Sequence, residues 1–577
     1  MNEMKNIFVK HTKKSLLILL TLTIGFSSCS DDFFRIKPKG QADISSFNTL
    51  SGAESLLIGA YAAVDGSVTD NSVSSYASSV SNWIWGSVAS DDAYKGRGPS
   101  SQFPINAIEQ HTLDPFNSYL ENHWRNLYDG VVRTNDVLGV VNEISGEADE
   151  ARCRLIEAQA KFLRAHFYFE LTKVHGKVPY IDESTENPSH VPNDHLLWPE
   201  IEADLKYAAD NLPSRWSDKG RATKWAAKTY LAQIYMFQNK FKEAIPLLED
   251  VYTNGGFSLM PSYEQNYLID YNNNAESIFE IQYVTNDFPG SPNAMHGDAG
   301  SFPSGDAGMG TCCGYFTGSH SLVSAYRVSP EGLPLLEDEY TTEDILPYSK
   351  TGESVPYKNP VDPRLDHTVG RPGIPFLDWG IHPGEAWVGS LIDGGPYLYK
   401  KHMFKKSEQG LTTETGWAGG LNPNNFRKFR LGHVILWLAE CKAETGELME
   451  ATRLVNEIRN RAKQTEVVKF DDGTPAANYL IEPYPNTFPS KEYALKAIRH
   501  EIRLEFAMEG LRFFDLVRWG IAAEVLNNYL SVDGTIMPHL SGRVFTKGQH
   551  EVAPIPQREI DLSQKDGSSV LVQNTGY

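Results

Sequence analysis

Apolar positions recur at helical spacing through two long parts of this chain and lose that spacing between them. In NTLSGAESLLIGAYAAVD (residues 48–65), HWRNLYDGVVRTNDVLGVVNEI (123–144) and EAQAKFLRAHFYFELTKVHG (157–176), large apolar residues stand three and four apart. That period gathers them on one face of an α-helix. The third stretch ends on Gly176, a residue that accepts the left-handed turn closing a helix. The pattern predicts a helical first half, residues 48–252, and a helical last third, residues 426–530.

Two stretches share more than a period. In WAAKTYLAQIYMFQNKFKEAIPLL, the residues Leu231, Ala232, Tyr235, Phe241, Ala244 and Ile245 fit the tetratricopeptide template. In that template small residues let paired helices approach closely and an aromatic fills the gap. In WLAECKAETGELMEATRLV, the residues Leu438, Ala439, Leu448 and Ala451 repeat the offsets, nine from alanine to large apolar residue and twelve from alanine to alanine. Two matches at one spacing predict a helix-pair repeat, and stacks of such pairs expose surfaces for partners.

Residues 286–423 differ in composition. They hold 21 of the 46 glycines, and no long amphipathic period runs through them. This predicts irregular, loop-rich structure inserted between helical parts. Long ordered loops on a rigid scaffold are where binding residues concentrate, so a small-molecule or glycan site is expected here.

The N-terminus has its own pattern. Lys5, Lys10, Lys13 and Lys14 precede LLILLTLTI, residues 16–24, which has the length of a secretory h-region and is too short to span a membrane. GFSSC follows and resembles a bacterial lipobox, so residues 1–28 are expected to be a lipoprotein signal peptide and Cys29 the lipidated residue, with 29–47 an anchored linker. Ser30, Asp31 and Asp32 resemble the acidic tag that carries Bacteroidetes lipoproteins to the cell surface. A simple cleavage site with an incidental cysteine is the alternative. Removing residues 1–28 takes four lysines and one glutamate, so the formal charge moves from −20 to −23. A surface this acidic repels phosphate, which argues against nucleic acid and anionic lipid as partners. With no later stretch of membrane-spanning length, the lipid is the expected membrane contact.

Cys153 and Cys441 fall in helical patterns and read as buried thiols. No CxxC pair or HExxH occurs, which argues against a structural zinc site or a zincin, and no metal or other cofactor is expected.

The densest chemistry is EIRLEFAMEGLRFFDLVRWG, residues 501–520, where seven charged residues are interleaved with ten large apolar ones. This stretch, with LRAHFYFELTKVHGKVPY (163–180), SDDAYKG (90–96), DPRL (362–365), NEIRNRA (456–462), APIPQREI (553–560) and the repeat at Ala232, resembles the SusD/RagB family of surface glycan-binding lipoproteins across nearly the whole mature chain. The resemblance implies a mostly α fold with about four tetratricopeptide-like helix pairs and a large irregular insertion. It further implies a non-enzymatic protein of the outer membrane that faces the cell exterior, caps a SusC-like TonB-dependent transporter and delivers an oligosaccharide to it. Its expected regions are 48–285 (helical), 286–425 (variable, glycan-binding) and 426–577 (C-terminal helical).

Glu501, Glu505 and Glu509 stand four apart on one helical face. As a glycosidase pair they would have to flank an open cleft. As a structural face they need cations opposite, and Arg499, Arg503, Arg512 and Arg518 are available. Phe506, Phe513, Phe514, Leu516, Val517 and Trp519 place the stretch against core, which favours a helix, Gly510 turn and helix whose charges pair with one another. A glycoside hydrolase and a tetratricopeptide adaptor without a sugar site remain the alternatives to glycan binding.

Sugar rings need aromatic faces for their C–H surfaces and polar groups for their hydroxyls. Two loop clusters offer both. The first holds Trp83, Trp85 and Tyr94 beside Asp91 and Asp92; if the segment is extended, the period-two tryptophans share a face. The second holds Tyr315, Phe316, Arg371, Asp378, Trp379, Trp387 and Tyr397. Cys312 and Cys313 in GTCCGYF are adjacent, either a vicinal disulfide whose flat face could support a sugar ring or two unrelated thiols. Every one of these aromatic rings also has the simpler reading of core packing.

Overall fold

The computed structural model describes residues 44–66, 75–146, 148–288, 293–298, 301–303, 313–336, 340–342, 357–413 and 421–577. Cys29 and the signal segment lie outside these residues, as does Cys312. The chain divides into residues 1–48, whose described part is one short turn at Ile44–Phe47, and residues 49–577, which form one unit.

Helices dominate that unit. They are α1 (Leu50–Ala62), α2 (Ser118–Ile144), α3 (Glu150–His175), α4 (Trp198–Asn211), α5 (Lys224–Phe237), α6 (Phe241–Asn254), α7 (Leu431–Glu444), α8 (Leu448–Gln464), α9 (Lys491–Phe506), α10 (Arg512–Arg518) and α11 (Ala522–Asp533). Side-chain caps fix several starts: Thr49, Asn117, Asp149, Thr223 and Ser490 each accept a first-turn N–H. Gly176 closes α3 at φ +71°, as its position predicts.

From α1 to α8 each helix packs on the next, and α9 returns to α7 and α8. The eight helices α2–α9 amount to four pairs. Ala232 and Ala244 in one pair and Ala439 and Ala451 in the next are fully buried, the close approach the template requires.

The two predicted repeats are far apart in sequence, yet α6 packs directly on α7. Strands make this possible. β2 (Ser277–Ile281) pairs antiparallel with β6 (Phe426–Arg430), so the insertion leaves and re-enters the stack through adjacent strands. Within it the described residues form short helices at His320–Ala325, Leu365–Thr368 and Leu391–Gly394. Its β4 (Val369–Gly370) pairs antiparallel with β5 (Leu398–Tyr399), and its β3 (Tyr315–Gly318) pairs with β1 (Ala93–Gly96), which comes from the N-terminal part of the chain. None of the described helices is long and apolar enough to cross a membrane.

The turn between α9 and α10 depends on Gly510, at φ +74°. A Cβ there would sit 1.8 Å from the Ser81 carbonyl oxygen, and a Cβ on Gly86 would sit 1.8 Å from that of Gly510. Two backbones touch at this point, and only glycine on each side allows it.

Candidate functional site

The carboxylates of the 501–520 stretch are not in a cleft. Glu501 and Glu505 are fully buried and Glu509 is 5% exposed. Arg364 and Arg459 meet Glu501 at 2.7 and 2.9 Å. Glu505 takes Arg430 at 2.6 Å and Arg364 at 3.1 Å, together with Arg461. Glu509 takes Lys401 at 2.8 Å and Arg430 at 3.2 Å, with the Tyr267 hydroxyl donating at 2.8 Å. Asp362 on Arg364 and Glu276 on Arg430 complete a buried network. Burial alone would raise the Glu505 carboxyl's pKa, but Arg461, Arg430 and Arg364 outweigh it and hold the group well below its ordinary value. A carboxylate so held cannot donate a proton to a leaving group, and no sugar can reach it.

The arginines correct the expectation that the stretch pairs with itself. Arg503 and Arg512 reach back to Asp91 at 2.9 and 2.8 Å, Arg503 also to Asp92 at 2.9 Å, and Arg518 to Glu440 at 2.7 Å. Arg499 stands 3.9 Å from Glu444. Only Arg518 with Asp515 closes within the stretch. Asp91 and Asp92, grouped above with the first aromatic cluster, therefore belong to the packing of α9 and α10.

The first cluster is core in this structure. Trp83, Trp85 and Tyr94 are 1%, 5% and 0% exposed. Residues Trp83–Val88 turn as a π-helix, so the extended backbone needed to put both indoles on one face is absent. Trp83 donates its ring N–H to Gly297 and packs on Phe316, while Trp85 donates to Ala77 and packs edge-on to His123. The Tyr94 hydroxyl bonds His320 and Asp533. Burying such large rings is worth roughly 2–3 kcal/mol each, a gain that a solvent-facing ring forgoes.

Most of the second cluster is also buried. Tyr315 and Tyr397 are 3% exposed; Phe316 and Trp387 lie within the packing, and Arg371 is held by Asp366 through two bonds of 2.7 and 2.6 Å. Cys313 is disulfide-bonded while Cys153 and Cys441 are free, and the partner of Cys313 lies outside the described residues. Trp379 and Asp378 differ. They sit at the tip of a tight hairpin in which Phe376 N–H bonds Gly380 at 2.8 Å and His382 N–H bonds Ile374 at 3.0 Å. Asp378 is exposed and accepts the N–H groups of Lys406 and Ser407. The Trp379 indole is half-buried, donating to Phe404 at 2.9 Å with its edge on the Phe404 ring, beside the exposed Ile381. This fixes an accessible indole in orientation before any ligand arrives.

Two clefts open elsewhere. One of about 600 Å³, mostly apolar, runs between α2 and the residues around Leu562 and Leu571. The other, about 420 Å³ and more polar, lies among residues 214–223, the turn after α6 and the entry to β2. Trp216, Arg215 and Lys219 line the second. No periodicity marks them, because they stand in an ordinary helix–helix connection.

Residues 275–577 match the family model described as the SusD family, and residues 41–236 match a second, described as starch-binding associating with outer membrane. A SusD-like protein of Bacteroides ovatus is 26% identical over 546 residues, 88% of this chain and 82% of the relative. SusD-like protein P2 of Formosa agariphila is 24% identical over 498 residues, covering 82% and 83%. Among solved structures, a SusD homolog from Bacteroides thetaiotaomicron aligns with a TM-score of 0.69 at 20% identity, covering 93% of this chain and 99% of that one. Surface glycan-binding protein A from the same species, solved in complex with laminarihexaose, aligns with a TM-score of 0.65 at 22% identity, covering 91% and 99%. The SusD model alone spans more than half of the residues, on a fold shared by these neighbours, and the chain belongs to the SusD family.

Proposed function

We propose that this protein is an outer-membrane lipoprotein, anchored through Cys29 and facing the cell exterior, that binds an oligosaccharide or polysaccharide non-covalently and passes it to a SusC-like TonB-dependent transporter. The observation that carries the reading is membership of the SusD family. The fold likeness to a protein solved with laminarihexaose and the name of the second matching model support it. The burial of Glu501, Glu505 and Glu509 in ion pairs removes the glycosidase reading of that stretch.

For the sugar contact we propose the hairpin tip, where Trp379 supplies the flat apolar surface and Asp378 a polar neighbour. Trp83, Trp85, Tyr94, Tyr315 and Tyr397 are buried and present no such surface. An exposed platform of this kind buries little area and must desolvate hydroxyls, so binding per site is weak and avidity along a polymer matters. Calorimetric titration against plant, host and microbial polysaccharides is the test. Binding without release of sugar is the expected result, with Trp379→Ala weakening it roughly tenfold while leaving the fold intact. Retention of full affinity by Trp379→Ala would remove the hairpin from the site, and a complete absence of glycan binding would favour an adaptor role.

A further inference from the structure

The polar cleft among residues 214–223 is unlike the rest of this acidic surface. Its volume, about 420 Å³, falls within the range of ligand sites. Trp216 is half-buried and cannot swing away: its ring N–H donates to the Ala222 carbonyl at 2.7 Å, and the Arg221 guanidinium lies over it at 5.7 Å. Arg221 is itself fixed by Glu54 at 2.5 Å and by Gln159 at 3.1 Å. Phe257, also half-buried, and the Asn273 amide complete the mixture of flat apolar faces and polar rim that suits a sugar.

Charge adds the specificity. Asp218 shares Arg221 with Glu54, at 3.3 and 2.5 Å, and Glu280 meets Arg427 at 3.4 Å. Arg215 and Lys219 are exposed and have no ion pair among the described residues. On a chain of net charge −20, the cations Arg215, Lys219, Arg221 and Arg427 outnumber the carboxylates Asp218, Glu54 and Glu280 by one around a rigid indole, and concave walls focus the resulting positive field.

We infer that this cleft is a second saccharide site, selective for sugars carrying carboxylate or sulfate groups. The ring faces would pack on Trp216 and Phe257 while the anionic substituent meets Arg215 and Lys219. The inference takes its ligand class from the glycan-binding reading and differs from it in place and in charge.

The test is calorimetric titration of the full mature chain with a galacturonate hexamer, a sulfated carrageenan hexasaccharide and neutral laminarihexaose. Each runs at about 20 and about 500 mM salt, since only ionic contacts are screened. At low salt one or both anionic oligosaccharides should bind, and high salt should weaken them selectively. Arg215→Gln with Lys219→Gln should cost at least about tenfold for the anionic ligands, as expected on losing two charge-assisted contacts. Both side chains are exposed, so the melting temperature should not move. Trp216→Ala should weaken the same ligands. Failure of the wild-type protein to bind either anion, or full binding by the double variant, overturns the inference. If laminarihexaose or another neutral glycan still binds, only this inference falls; if no glycan binds at all, the glycan reading falls with it.

Discussion

Replacing Glu505 by glutamine tests whether the charged stretch is architecture. Within the network, five cations (Arg364, Arg430, Arg459, Arg461, Lys401) face five anions (Asp362, Glu276, Glu501, Glu505, Glu509). Glutamine keeps the volume and one acceptor oxygen, so no cavity opens. It removes one negative charge from a site with no solvent, leaving Arg430, Arg461 and Arg364 one anion short. Removing one member of a buried pair costs about 3–5 kcal/mol, because the remaining charge stays desolvated. Unfolding the body of about 530 residues carries an entropy of roughly 1.1 kcal/mol per degree, so the melting temperature should fall by about 3–5 °C.

Scanning calorimetry at pH 7, with glycan titration at 20 °C on the folded variant, separates the readings. A structural Glu505 predicts the lowered melting temperature and unchanged binding. A melting temperature within about 1 °C of wild type, or sugar release by the wild-type protein that the variant loses, would refute the reasoning. The pH dependence has a definite sign. Burial raises the Glu509 carboxyl's pKa, but Lys401 and Arg430 outweigh it and bring it down from 4.5 to about 2. A depressed folded value means the contribution is present above 4.5 and is lost as pH falls from there toward 2. The wild-type protein should therefore lose stability through this acid window, and the Glu505→Gln variant should reach its acid midpoint at higher pH.

Gly510→Ala should destabilise by at least about 3 kcal/mol, since it combines a left-handed backbone with a Cβ 1.8 Å from the Ser81 oxygen, and denaturant unfolding would measure this. Asp533, buried between the hydroxyls of Tyr340 and Tyr94, has its pKa raised by burial to about 6 from 3.8. Its contribution is full below pH 3.8 and is lost as pH rises through 6, so Asp533→Asn should narrow the stability difference between pH 5 and pH 8 by about 1 kcal/mol in urea unfolding. If Cys313 is bonded to Cys312, mass mapping should show the peptide carrying both gaining two hydrogens on reduction, whereas a cross-link to a distant peptide would exclude the vicinal pair.

The helical scaffold was legible because its signals are local. Ala232 with Ala244, Ala439 with Ala451, and the stops at Gly176 and Gly510 each follow from a period or a backbone requirement within a few residues. What could not be read was pairing across long separations. Arg503 and Asp91 are 2.9 Å apart in space and more than four hundred residues apart in sequence, and nothing in the spacing of either stretch names the other. The same limit misplaced the aromatics. Composition showed that Trp83, Trp85 and Trp379 stood in loop-like surroundings, but burial depends on what packs over them, and only Trp379 keeps an accessible face. Trp216 went unnoticed because one tryptophan in a short connection carries no pattern.

The ionic network also explains how the loop-rich insertion coexists with a regular stack. Asp362, Arg364 and Lys401 come from the insertion, whereas Glu276 comes from the turn just before β2, Arg430 from β6, and Glu501, Glu505 and Glu509 from α9 and the turn after it. The insertion is thus bonded to the scaffold at two points well inside its length, besides the β2–β6 pairing at its ends. Charged hydrogen bonds have directional demands that apolar contacts lack, so they fix where the segment sits as well as that it stays. Loop tips beyond these anchors, such as the hairpin carrying Trp379, can then change sequence without loosening the stack. A dense charge pattern at the base and an exposed hairpin at the tip are two aspects of one arrangement, in which the ionic anchors carry the rigidity and the tip does not.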